Sequence, residues 1–157
     1  FLEHFFKEIS CDKVLLIRPT SPLRNPRNLF QIVESYKREL KKNTFTGFRS
    51  MTKSNHSPYK MFQIKNGKCC GFFNDFMGVS EYTNLPNQFF PAAYMPNGYC
   101  DMVLKNTLLN CDSTFGSAIY GKETEGIIDV DDYFSLDIVK SLIGTKYDQL
   151  SVHLKSF

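Results

Sequence analysis

The hydrophobic rhythm of the chain changes abruptly between residues 13 and 40. Val14-Leu15-Leu16-Ile17 is an unbroken apolar run, and Arg18-Pro19-Thr20-Ser21-Pro22-Leu23-Arg24 follows it. A short apolar run closed by turn residues reads as a strand over 13–17, buried on both faces. Beyond Arg24 the period becomes helical, with Leu29, Phe30, Ile32, Val33, Tyr36 and Leu40 at three- and four-residue spacing. Asn25 suits the cap of that helix and Pro26 its first position, so the pattern predicts a helix from about 26 to 40. The order is strand, loop bearing hydroxyls and arginines, helix. In open α/β sheets, ligands bind in the loops at the carboxyl ends of strands. The same loop also serves as a stiff β–α connection, and the local pattern leaves both roles open.

The rest of the chain supplies further elements. Residues 1–10 read as the end of a helix, with Leu2, Phe5, Phe6 and Ile9 on one face. Residues 44–51 alternate enough for a strand. Two runs, 60–64 and 68–73, flank Asn66-Gly67, the strongest short-range hairpin signal. Residues 74–96 are rich in Asn, Pro, Phe and Tyr without a clear period, and long stretches of this kind are usually functional or partner-binding. Phe89 and Phe90 there need cover, from a second copy or from their own core. Strands are expected at 99–103, 117–120 and 126–128. Asp129-Val130-Asp131-Asp132 then leads into a helix over 133–143 whose Phe134, Ile138, Val139 and Leu142 share a face. Asp131 or Asp132 can cap it, Gly144 ends it, and 146–157 reads as one more short helix.

Composition narrows the function classes. The 157 residues are enough for one domain with a real core, and 42% hydrophobic with 22% charged residues is ordinary for a globular protein. A net charge of +3, scattered along the chain, gives no reason to expect a nucleic-acid partner. No apolar stretch reaches membrane-spanning length, so no membrane association is expected either. The five cysteines are odd in number and lack a CxxC spacing, which favours a reduced, cytoplasmic protein. The three histidines are too far apart in sequence to form a metal-ligand motif.

Among candidate chemical groups, Asp129 and Asp131 are the sharpest acidic pair. On an extended chain, side chains two apart share a face and can converge on one hard cation. Capping the following helix is the competing role. The candidate cations are Arg18, Arg24, Arg49 and Lys60, arginine at a strand end being suited to a bidentate grip on phosphate or carboxylate. Neither GxxxxGK[ST] nor GxGxxG occurs, so glycines do not mark a self-contained nucleotide site.

Four segments in order, LLIRPTSPLR, GFRS with SPYKMF, NLPNQFFPAAYMPNGYCD and GIIDVDD before a helix, together resemble the acylneuraminate cytidylyltransferase family. The resemblance spans about residues 12–143. It implies a Rossmann-like α/β nucleotidyltransferase sheet with flanking helices and a protruding β-hairpin or dimerisation segment, here about 58–100, within one partial domain over 1–157. It implies transfer of CMP from CTP to an acidic α-keto sugar, with release of pyrophosphate, magnesium as cofactor and a homodimer as the working form. By the same resemblance Asp129 and Asp131 are the metal-binding aspartates. Thr20, Ser21 and Arg24 line the site, Lys60 meets the acidic substrate, and Gln88, Asn97 and Gly98 belong to the segment covering the sugar.

Two positions depart from the family pattern. Arg18 stands where many members have Gln, and Asn87 stands where the later motif usually has the Arg that grips the sugar carboxylate. Arg18 and Arg49 are the candidate replacements. The family's opening strand and basic, glycine-rich triphosphate loop have no counterpart here, and the chain starts at Phe1, so a portion of a longer gene product is expected. The alternatives are CMP transfer to another sugar acid, such as 3-deoxy-manno-octulosonate, and an inactive remnant that only binds sugar or dimerises.

Overall fold

The helix after the PTSPLR loop forms where the sequence predicts it. In the computed structural model, which describes residues 1–111 and 113–155, α2 spans Pro26–Leu40 and the Asn25 side chain accepts a hydrogen bond from the Arg27 backbone. Ahead of it lie α1 (Leu2–Glu8) and β1 (Lys13–Leu16). After it come β2 (Gly47–Lys53), β3 (Phe62–Lys65), β4 (Lys68–Gly71), β5 (Tyr94–Pro96) and β6 (Asp101–Leu104). The chain ends with α3 (Lys105–Cys111), β7 (Ile119–Glu123), α4 (Tyr133–Leu142) and α5 (Gln149–Leu154). Together they make a mixed α/β protein that divides into two compact units, Phe1–Thr52 with Pro96–Phe157, and Lys53–Met95. Among the described residues no helix is long and apolar enough to cross a membrane.

The larger unit is built on a mixed sheet. β6 lies between β1 and β2 and runs antiparallel to both, while β7 runs parallel to β2. The register places Val14 opposite Val103 and Phe48 opposite Met102. One expectation is corrected here: β1 is not buried on both faces. Its residues alternate in exposure, and Leu15 and Ile17 stay 37% and 48% exposed. An unbroken apolar run needs cover on both sides to be a central strand. β1 has one ladder partner, β6, and packs on one face. The strand expected at 126–128 is also absent: β7 ends at Glu123, and the backbone beyond it forms no ladder.

The core of this unit is largely aromatic. Ile32, Tyr36, Phe48, Tyr99, Cys100 and Met102 are buried together, with Leu29, Val33, Leu40, Phe45, Leu104, Tyr120 and Ile127 packed on them. The rings of Tyr36, Phe45, Phe48 and Tyr120 meet at centroid distances of 5.2–6.2 Å, in the range of favourable tilted and edge contacts. Buried hydroxyls find partners: Tyr36 donates to the Cys100 carbonyl at 2.7 Å, and Ser35 and Tyr120 share a bond of 3.1 Å. Phe30 and Phe134, expected on buried helix faces, are 67% and 75% exposed. Each lies one position off the face that its helix buries, α2 through Ile32 and Tyr36 and α4 through Val139. Asp132, rather than Asp131, caps α4, in a reciprocal box with Ser135.

The smaller unit holds the predicted hairpin. β3 and β4 pair antiparallel across Asn66-Gly67, whose φ values of 50° and 76° suit a two-residue hairpin turn. Tyr59 stacks on Phe90 (5.3 Å, 5°) and on Phe73 (4.8 Å, 30°), and Phe76 meets both Tyr59 and Phe90 edge-on. Buried Tyr82 ties this cluster down by donating to the Phe73 carbonyl and accepting from its amide. Phe90 therefore finds its cover within its own unit, whereas Phe89 remains 61% exposed.

Candidate active site

The larger unit brings the PTSPLR loop against the segment that carries the aspartates. Ser21 is fully buried and its hydroxyl donates to the Asp129 carboxylate at 3.1 Å, across 108 residues of chain. The Val130 amide donates to the Thr20 carbonyl at 2.7 Å, so the two segments are joined by side chain and backbone at neighbouring positions. Thr20 itself is exposed, Asp129 is half-buried and Asp131 is exposed. Neither carboxylate is in an ion pair among the described residues.

Arg24 organises this region from beneath. It is 8% exposed and donates to the carbonyls of Tyr99 (2.8 Å), Ser21 (2.7 Å) and Gly98 (3.0 Å). Burial holds its pKa below the ordinary arginine value, with the nearby Asp129 charge among the influences acting the other way. Three of its five N–H groups thus bind backbone, which fixes the loop after β1 against the turn before β6. The Tyr99 hydroxyl strengthens that junction by accepting from the Asn25 amide at 2.8 Å and donating to the Asn25 carbonyl at 3.0 Å.

Asn97 and Gly98 form the turn that Arg24 grips. The Asn97 side chain accepts from the Tyr99 amide at 3.1 Å and donates to the Thr124 hydroxyl at 2.7 Å. Gly98 has φ +65°, and a Cβ built there would lie 3.0 Å from Cδ of Arg18. Glycine therefore serves both the left-handed backbone and the close passage of Arg18. Arg18 is exposed beside this turn. Arg49 is held elsewhere: its Nη2 meets the buried Asp101 carboxylate at 3.4 Å, its guanidinium lies 4.5 Å from the Phe115 ring centre, and its buried Nε has no partner.

The remaining two candidates lie in the smaller unit. Lys60 ends a short 3₁₀ turn, Pro58–Lys60, capped by the Ser57 hydroxyl. It lines a cavity of about 290 Å³ with Asn55, His56, Ser57, Met61 and Asn87. Gln88 lies in a second 3₁₀ turn, Asn87–Phe89, and lines a neighbouring cavity of about 310 Å³.

The structure thus joins Ser21 to Asp129 and Thr20 to Val130, and it links Arg24, Asn97, Gly98 and Arg18 around one turn. It keeps Arg49 on Asp101. Sequence reasoning missed Tyr99, Ser50 and Asp101 as organisers. Ser50 Oγ accepts from the Cys100 amide at 2.9 Å, and Asp101 accepts from the Ser50 amide at 3.3 Å. A buried Ser in β2 and an Asp opening β6 were the available signals.

Magnesium is a cation for which this donor set is chemically suited. It takes hard oxygen ligands, keeps several waters and needs only one or two protein carboxylates beside substrate phosphates. Asp129 and Asp131 would hold it. Among the described residues no group of three or more His, Cys, Asp or Glu gathers as a metal cage. No protein-family model matches the chain, and no curated protein matches it.

Proposed function

We propose that the chain is the sugar-binding and metal-binding portion of a cytoplasmic, homodimeric nucleotidyltransferase with a Rossmann-like sheet, which moves CMP from CTP to an acidic α-keto sugar. The observation that carries this reading is the Ser21–Asp129 bond with its neighbouring Val130–Thr20 bond. These bonds join two of the four segments that together resemble the cytidylyltransferase motifs.

In the reaction, the anomeric hydroxyl oxygen of the sugar forms a bond to the α-phosphorus of CTP. The bond from that phosphorus to the bridging oxygen breaks, pyrophosphate leaves, and the hydroxyl proton passes to solvent. Little covalent help is needed, and positioning with charge neutralisation does most of the work. Bound magnesium would supply charge neutralisation at the phosphates. Ser21 orients the Asp129 carboxylate. Arg24 keeps the loop and the Asn97-Gly98 turn in register, and exposed Arg18 is placed to meet an anionic substrate. By the resemblance, Lys60 is the residue expected to meet the acidic sugar.

The test is to incubate the natural-length protein containing this chain with CTP, magnesium and a panel of acidic keto sugars, reading CMP-sugar and pyrophosphate together. Equimolar appearance of both with at least one sugar is expected. Absence of both across the panel rejects the reading.

A further inference from the structure

Within the larger unit, residues 124–130 are held at both ends and open between them. The Thr124 amide donates to the Met51 carbonyl at 2.8 Å, and the Val130 amide donates to the Thr20 carbonyl at 2.7 Å. Between these anchors the segment forms neither helix nor ladder, and Gly126, Ile127 and Ile128 make no hydrogen bond among the described residues. Three successive amides and carbonyls are therefore open on a backbone that is already tied down. A row of unpaired backbone groups is a template for another strand, and tying it down in advance lowers the ordering cost of binding. The two isoleucines are β-branched and suit strand geometry.

The same three residues form one wall of a cavity of about 480 Å³, within the size range of binding pockets. Leu23, Leu142 and Tyr147 give this cavity an apolar side. Two charges border it. The Glu125 carboxylate accepts from the Asn28 side chain, and the Lys146 ammonium lies 5.1 Å from the Tyr147 ring centre. Neither is in an ion pair among the described residues, although both line the one cavity. They do not neutralise each other, and each is open to an opposite charge on a ligand. A small molecule could engage the charges and the apolar side but would leave the row of backbone groups unpaired. An extended peptide meets all three, with main-chain bonds giving affinity and alternate side chains giving specificity.

We propose that this face binds an extended segment of a partner protein, in which an apolar residue stands between a basic and an acidic one. The segment pairs along Gly126–Ile128, its apolar side chain enters the cavity, its base meets Glu125 and its acid meets Lys146. Binding here does not depend on the reaction at Asp129, so either can fail while the other stands.

The test follows the amide NMR signals of the isotope-labelled, natural-length protein during titration with acetyl-Lys-Thr-Leu-Thr-Glu-amide and with its reverse sequence, since either strand direction fits the template. Alternate side chains share a face, so lysine, leucine and glutamate point together. At least one peptide is expected to bind with a Kd of about 1 mM or tighter and to shift the signals of Gly126, Ile127, Ile128, Leu142 and Tyr147. N-methylation at the leucine amide or at both threonine amides separates the two edges of the peptide: one pattern should weaken binding at least about tenfold more than the other. Lys146→Glu, at an exposed position, should weaken binding at least about threefold, and exchanging the peptide's glutamate for lysine should restore it. Before any peptide is added, the amides of residues 126–128 should exchange quickly with deuterium. Slow exchange there means that the protein's own chain or a second copy already pairs with them, and overturns the proposal. So does failure of both peptides to bind, a set of shifts confined to other residues, indifference to N-methylation, or indifference to Lys146→Glu.

Discussion

The two units hold their cations in opposite ways. In the larger unit, Arg24 is buried and bound to three backbone carbonyls, and Arg49 sits on Asp101 with one face towards Phe115. In the smaller unit, Lys53 and Lys60 line cavities and have no ion pair among the described residues. The difference is that between charge used to build and charge that meets no carboxylate among the described residues. A guanidinium is planar, with donors in a fixed fork, and can satisfy several converging carbonyls at once. A lysine on a short capped turn keeps a strongly hydrated point charge, which is cheap to hold at a surface and ready to meet an anion. An arginine in a motif is thus not by itself a substrate ligand: Arg24 is bound to backbone, whereas Arg18 is exposed beside Gly98.

The contrast can be broken most forcefully at Arg24. Arg24→Ala leaves three carbonyls without their donor in a buried place, and unmade buried hydrogen bonds cost about 1–3 kcal/mol each. Urea unfolding should show a loss of about 3 kcal/mol or more. A loss under 1 kcal/mol would mean that the buried guanidinium is not the organiser described here.

Alkaline unfolding should come next. Burial is the first cause pushing the Cys100 thiol up from 9.0 to about 11, and burial also raises Tyr36 and Tyr99. The folded state then holds protons that the unfolded state has released. Stability is full below pH 9 and falls as pH rises from 9 towards 11 through the Cys100 range, with the two tyrosines extending the decline. A midpoint series by circular dichroism from pH 7 to 11 tests this, and Cys100→Ala should flatten the first part of the fall. Gly98→Ala should cost about 1–2 kcal/mol, because it puts a Cβ in a left-handed conformation and against Arg18. Lys60→Ala should be the mildest, within about 0.5 kcal/mol of wild type in stability, while raising the KM for an acidic sugar. If Lys60→Ala unfolded the protein as Arg24→Ala is expected to, the contrast between the units would collapse.

Local chemistry explains which parts of this picture could be read in advance. α2 was legible because Asn25 and Pro26 mark its start and Ile32 and Tyr36 fall on one stripe. The hairpin was legible because Asn66-Gly67 accepts positive φ at both turn positions. β1 was misjudged because an all-apolar run looks the same whether one or both faces are covered, and the cover depends on sheet neighbours far along the chain. α3 was missed because Lys105–Cys111 buries only Thr107 and shows no apolar period. For the candidate site, the polar loop and the aspartates could be marked, but not that Ser21 would meet Asp129. Arg24's role was illegible for the same reason: its acceptors at Gly98 and Tyr99 lie 74 and 75 residues away.

The central claim is that the PTSPLR loop and the aspartate segment form one nucleotidyl-transfer site. It is tested most directly by CMP transfer in the natural-length protein with Asp129→Asn. Removing one preorganised electrostatic group at such a site typically costs about 10²–10³ in kcat. A fall of that size is predicted, with an unchanged circular dichroism spectrum and a weakened dependence on magnesium. A variant that transfers CMP at the wild-type rate, with the same magnesium dependence, would contradict it.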